Sequence, residues 1–187
     1  MKRIILLTAV AFTLITGNSC NRKVTRVEPE KQIDLSGRWN DVDSRMVAEE
    51  MVKQVLSERW ITEFETLNPG KKPVVICGFV TNKSHEHIEA ETFIKDIERA
   101  FINSGRVKLV QGGEKREAIR AERADQQENA SQSTMKKFGL EMGADYMMQG
   151  SINSIVDSYK KDKVVFYKIN LELSHMQSNE IVWIGDK

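Results

Sequence analysis

Cysteine is nearly absent: Cys20 and Cys77 are the two in 187 residues. That excludes a disulfide framework, so the fold must stand on its hydrophobic core. Histidine is also scarce, with three residues, and a zinc site needs at least three protein ligands in plausible geometry. Net charge is close to zero, +1 for the whole chain. No basic excess is available to attract nucleic acid. The longest apolar run, Ile4 to Ile15, is shorter than the roughly 20 residues a bilayer-spanning helix requires. Gly112-Gly113 is followed by neither Gly-Lys-Ser/Thr nor Gly-x-Gly-x-x-Gly. It is therefore a turn and not a phosphate loop.

What is present begins with an export signal. Lys2 and Arg3 precede the apolar run, and Gly17-Asn18-Ser19 leads to Cys20. This order of basic, apolar and small residues is that of a secretory signal. A cysteine after small residues makes it a lipoprotein signal over 1–19, with Cys20 as the lipidated first residue of the mature chain. Removing residues 1–19 leaves 168 residues, with 26 basic against 27 acidic side chains. Residues 20–35 are polar and aperiodic and read as a tether. At ~3.4 Å per residue it spans roughly 50 Å when fully extended. Residues 36–187 then form a single globular domain, long enough to bury about 70% of its unfolded surface.

Within that domain Asp41 or Asp43 is positioned to cap a helix running to about Phe64. The rows Val47-Met51-Val55 and Ala48-Val52-Leu56 recur every four residues, placing them on one face. A central strand follows from Pro73 to about Asn82, apolar on both faces. A second helix spans about Glu86 to Asn103, with Phe93, Ile97 and Phe101 buried and Gly105 as its stop. Val107 to Val110 is a short strand. Glu114 to Asn129 is a charged helix, and Ser133 to Met142 a shorter one ended by Gly143. Tyr146–Val156 and Val164–Leu173 form a hairpin joined by a charged loop over 158–163, with Val165, Tyr167, Ile169, Leu171 and Leu173 facing one way. Ile181–Ile184 adds a last strand. The order α-β-α-β-α-α-β-β-β predicts an α/β (α+β) domain with one mixed sheet flanked by helices.

No chemistry-bearing constellation converges. His85-Glu86-His87 lacks the four-residue spacing of a helical zinc pair. Cys77 lies in an apolar strand, where a thiol is buried and inert. These features predict neither a metal, a cofactor nor an enzyme. The charged helix is the best interaction surface. Arg116, Arg120 and Arg123, with Gln126 and Gln127, can contact acidic groups on a partner, or else form a solvated face held by pairs such as Glu117–Arg120.

Several segments carry a resemblance. They are Asp34-Leu35-Ser36-Gly37-Arg38-Trp39-Asn40-Asp41, Asn82-Lys83-Ser84-His85-Glu86-His87-Ile88 with Glu91-Thr92-Phe93-Ile94-Lys95-Asp96, Glu122-Arg123-Ala124-Asp125-Gln126-Gln127, Gly150-Ser151-Ile152-Asn153-Ser154 and Val182-Trp183-Ile184-Gly185. From about Asp34 onward the chain resembles the LpoB-like penicillin-binding protein activators. The resemblance implies a non-enzymatic lipoprotein of the outer membrane, facing the periplasm. Its domain would bind a bifunctional penicillin-binding protein and stimulate peptidoglycan synthesis. It also implies a small sheet with flanking helices, similar to the N-terminal domain of the Tol-system propeller protein. The tether here is short for a partner in the inner membrane. The alternatives are an orphan periplasmic lipoprotein of the same fold with another protein partner, and a curli-type secretion-channel subunit. The latter needs alternating barrel-forming segments of about ten residues, and the final strands are already used by the sheet.

Overall fold

The computed structural model describes residues 37–129, 141–160 and 162–187. They form four helices and a five-stranded mixed sheet. In chain order these are α1 (Asp41–Ser57), α2 (Arg59–Leu67), β1 (Val74–Asn82), α3 (Ala90–Ser104), β2 (Lys108–Val110), α4 (Gly113–Asn129), β3 (Tyr146–Tyr159), β4 (Asp162–His175) and β5 (Ile181–Asp186). The sheet order is β2-β1-β3-β4-β5. β1 runs parallel to both β2 and β3, and the remaining pairs are antiparallel.

The first helix is capped one residue earlier than the acidic pair suggests. Asn40 Oδ1 accepts from the Val42 and Asp43 amides at 2.8 and 3.3 Å, and Asp43 Oδ2 accepts from the Asn40 amide at 3.0 Å. This reciprocal capping box satisfies donors the helix start leaves open. A single helix to Phe64 is not observed: the chain breaks at Glu58, which is extended at φ −86° and ψ 167°. No glycine or proline marks the break, and the row 52-56-60 runs through it. Two side-chain donors hold it instead, one local and one distant. Trp60 Nε1 donates to the Val55 carbonyl at 2.6 Å, and Arg106 Nη1 donates to the Leu56 carbonyl at 2.8 Å. They satisfy carbonyls that a helix end leaves free.

The apolar rows of α1 and α3 do face the sheet. Ala48, Met51 and Val55 pack with Phe93, Ile97 and Phe101 against Val75, Met148, Ile152, Ile169, Leu171 and Leu173 in one core. α2 adds Trp60 and Ile61, with Trp60 at 4.8 Å edge-on to Tyr146. The alternation foreseen for β4 holds, since Ile169, Leu171 and Leu173 are buried with less buried residues between them.

Three further expectations change. β1 is buried on both faces only at its start, and beyond it only Val80 returns to the core. Val74, Val75 and Ile76 pair with β2 and are buried, whereas Phe79 beyond the end of β2 is 65% exposed. The second helix begins at Ala90 and not at Glu86, because Asn82 organises the preceding loop. Its Nδ2 donates to the Glu86 and Ile88 carbonyls at 2.8 and 3.2 Å, and its Oδ1 accepts from the Ser84 amide at 2.9 Å. Asn82→Ala removes these bonds and a fourth, from Ser84 Oγ at 2.7 Å, and is expected to cost about 2–3 kcal/mol, read as a lower urea midpoint at unchanged slope. The hairpin has no six-residue loop. Pairing continues to Tyr159↔Asp162, and Lys160 turns the chain at φ 56°, as a two-residue hairpin connection requires. The expected helix over 133–142 lies mostly on 133–140, outside the described residues; Glu141 and Met142 are not helical. Among the described residues no helix is long and apolar enough to cross a membrane.

Candidate functional site

α4 carries the surface that the sequence singled out. Gly112 and Gly113 start it. A Cβ at Gly112 would lie 2.8 Å from Ile76 Cδ1, and Gly113 has φ +54°. Both glycines serve a close, left-handed turn against β1. The helix is polar, and none of its described residues is fully buried. It is tied down by charge. Lys115 Nζ donates to Glu91 at 2.7 Å, and Arg116 Nε donates to the Gln111 carbonyl at 2.8 Å. Arg120 donates through Nε and Nη2 to both oxygens of Glu141, each at 2.9 Å, and through Nη1 to Glu117 at 2.6 Å. Arg123 reaches the same Glu141 at 3.3 Å.

The arginines and glutamines stand on one helical stripe, 116-120-123-127, with Ile119 and Gln126 beside it. Gln126 donates to Glu122 at 2.8 Å, and Gln127 is engaged as well. The i,i+3 pair Glu117–Arg120 foreseen for a solvated face is present. The bidentate grip on Glu141, 21 residues away, had no local signal in the sequence. Its hydrogen bonds from Arg120 hold the Glu141 carboxyl below its ordinary value of 4.5 and push the Arg120 guanidinium up.

Between α4 and the residues leading to β3 lies a small cleft of about 180 Å³, lined by Val110, Ile119, Arg116, Arg123, Glu141 and Met142. Ile119 and Met142 are exposed within it. A second groove, beside the start of α4, is floored by Ile76, Phe79 and Met147. Exposed apolar side chains ringed by guanidinium groups are the composition of a protein-docking surface.

The other candidates stay apart. His85 Nδ1 meets Ser154 Oγ at 2.6 Å, while His175 Nδ1 meets Ser178 Oγ at 2.9 Å. Glu86 accepts from the Tyr167 hydroxyl at 2.7 Å. That hydroxyl also accepts from the Trp39 amide at 3.2 Å, so this loop clamps the start of the domain to β4. No metal-holding cluster of His, Cys, Asp and Glu occurs among the described residues. Cys77 is half-buried, and desolvation, helped by Glu98, pushes its thiol from 9.0 up to about 12. A shift of that size lowers the thiolate fraction about a thousandfold. In the Cys20→Ala chain, iodoacetamide at pH 8 should therefore label Cys77 at least about tenfold more slowly in the folded state than in urea, the higher nucleophilicity of the remaining thiolate offsetting part of its scarcity. Equal rates would contradict the burial.

The family model for the peptidoglycan-synthase activator LpoB matches residues 43–187. The chain belongs to the LpoB family. This family activates a peptidoglycan synthase and is not itself enzymatic, and its members are envelope lipoproteins. Among solved structures, the chain is similar to the LpoB C-terminal domain from Salmonella enterica, at 17% identity and a TM-score of 0.47, covering 78% of this chain and 96% of that one. The LpoB C-terminal domain from Escherichia coli matches at 18% identity and 0.47, covering 77% and 96%. The NMR structure of E. coli LpoB matches at 16% and 0.44, covering 91% and 81%. No protein of curated function matches the chain.

Proposed function

We propose that this chain is an outer-membrane lipoprotein, anchored through lipid on Cys20 and facing the periplasm, that binds and activates a bifunctional penicillin-binding protein. The match of the synthase-activator family over residues 43–187 carries this reading. Residues 1–19 are the signal, 20–35 the tether and 36–187 the docking domain. The docking surface is the α4 face: Arg116, Arg120 and Arg123 with Gln126 and Gln127, around the apolar pair Ile119 and Met142. Guanidinium groups already oriented by Glu117 and Glu141 lose little side-chain entropy on meeting a carboxylate.

Two experiments test the reading. A pull-down from native membranes with residues 34–187 as bait should recover a bifunctional penicillin-binding protein. Recovery of other envelope proteins without any synthase would assign the domain a different partner. For the anchor, Cys20→Ala should yield a chain that no longer partitions with membranes, and unchanged partitioning would rule out lipidation there.

A further inference from the structure

The face built by α1 and α3 carries a further groove. A groove of about 570 Å³ runs between α1 and α3, with Val52, Leu56 and Ala100 among its lining. Its volume lies in the range of small-ligand and short-peptide sites. Along its α1 rim stand Arg45, Glu49 and Lys53, at i, i+4 and i+8. Successive members are about 6 Å apart, and the ends are about 12 Å apart. Arg45 is half-buried, and Glu49 and Lys53 are exposed. None of the three has an ion-pair or hydrogen-bond partner among the described residues, although neighbouring charges do. Across the groove, Asp96 accepts from Ser44 Oγ at 2.7 Å and from Arg99 Nη1 at 2.6 Å, and Arg106 Nη2 meets Glu65 at 3.0 Å. The α1 rim therefore presents an unspent plus-minus-plus pattern over an apolar floor.

From this pattern we infer that the groove binds a short peptide whose charges run minus-plus-minus, and that the occupant is a peptide stem of peptidoglycan. A stem carries the free α-carboxylate of a γ-linked D-glutamate, then the ammonium of a diamino acid, then a terminal D-alanine carboxylate. About four residues at ~3.3 Å span roughly 13 Å, which matches the rim. Arg45 and Lys53 take the two carboxylates, and Glu49 takes the ammonium. The methyl groups of the alanines rest on Val52, Leu56 and Ala100. The source of the peptide rests on the family's link to peptidoglycan synthesis, while the site is independent of the α4 face. Such a contact would hold the activator on the polymer that its synthase extends.

The test is an NMR titration of the Cys20→Ala chain from residue 20 with synthetic L-Ala-γ-D-Glu-L-Lys-D-Ala-D-Ala. No synthase is present, so failure here is distinct from failure of the activator reading. Shifts should concentrate in α1 and α3 and weaken with added salt. Arg45→Gln with Lys53→Gln should weaken binding about tenfold or more, as should amidation of both peptide carboxylates. Arg45→Lys keeps the charge and should retain most of the affinity, which separates a lost contact from a damaged fold. The proposal is overturned if millimolar peptide causes no shifts, if they fall outside the groove, or if the double variant or diamide binds equally well.

Discussion

Gly150→Ala is expected to destabilise the domain by about 3–4 kcal/mol, lowering its melting temperature by roughly 8–15 °C. A Cβ at Gly150 would stand 2.1 Å from the Asn170 carbonyl oxygen and 2.7 Å from Leu171 Cδ2. The oxygen is backbone of the adjacent strand, so it can retreat only by distorting the β3–β4 ladder. Leu171 is 1% exposed and pairs with Gly150 on one side and Gly185 on the other. Its side chain occupies the space the glycine leaves on the core face. Gly143→Ala is the control. Nothing lies within 4 Å of a Cβ there, so the change should stay within about 0.5 kcal/mol. Thermal melts of both variants check the contrast, and equal stabilities would mean that the register of β3 against β4 is wrong.

The second large effect concerns the proposed docking face. Arg120→Glu places a negative charge against Glu117 and Glu141, which Arg120 now neutralises. α4 should detach from the residues leading to β3, seen as faster amide exchange along the helix. Synthase binding should weaken at least about tenfold. Exchanging the charges, with Arg120→Glu and Glu141→Arg together, should restore the helix tie but not synthase binding, because the partner still meets the reversed pattern. Recovery of both would show that Arg120 acts only by holding the helix. The tie also depends on pH. The folded Glu141 value is lowered, so its contribution is complete above the ordinary carboxylate value and is lost as pH falls through the lowered one. Protection of the α4 amides, taken relative to the intrinsic exchange rate at each pH, should therefore fall below about pH 4.5, with no change between pH 6 and 8.

The sequence was most legible where one periodicity faced one environment. The four-residue rows of α1 and the alternation from Val165 to Leu173 both mark a face against the core. Features set by distant partners were not legible. Nothing near Glu58 signals the break after α1, which depends on Arg106 some 50 residues away. The strand order could not be read either, so the exposure of Phe79 beyond the short β2 was missed. The lysines at 160, 161 and 163 suggest a loop, yet the cross-strand pairs Asp157↔Val164, Ser158↔Lys163 and Tyr159↔Asp162 carry the ladder on to the turn. On the proposed docking face, the arginines are nameable from composition. Glu141 and Met142 are not, because their local pattern continues a helix, whereas the structure places them outside any helix, in the cleft beside Ile119.

The most direct measurement is glycan-strand polymerisation by a purified bifunctional penicillin-binding protein from the same organism, followed with and without the purified domain. A saturable, several-fold increase in rate that Arg120→Glu abolishes is the expected result. No change in rate, with every bifunctional synthase of that organism tested, would contradict the activator role.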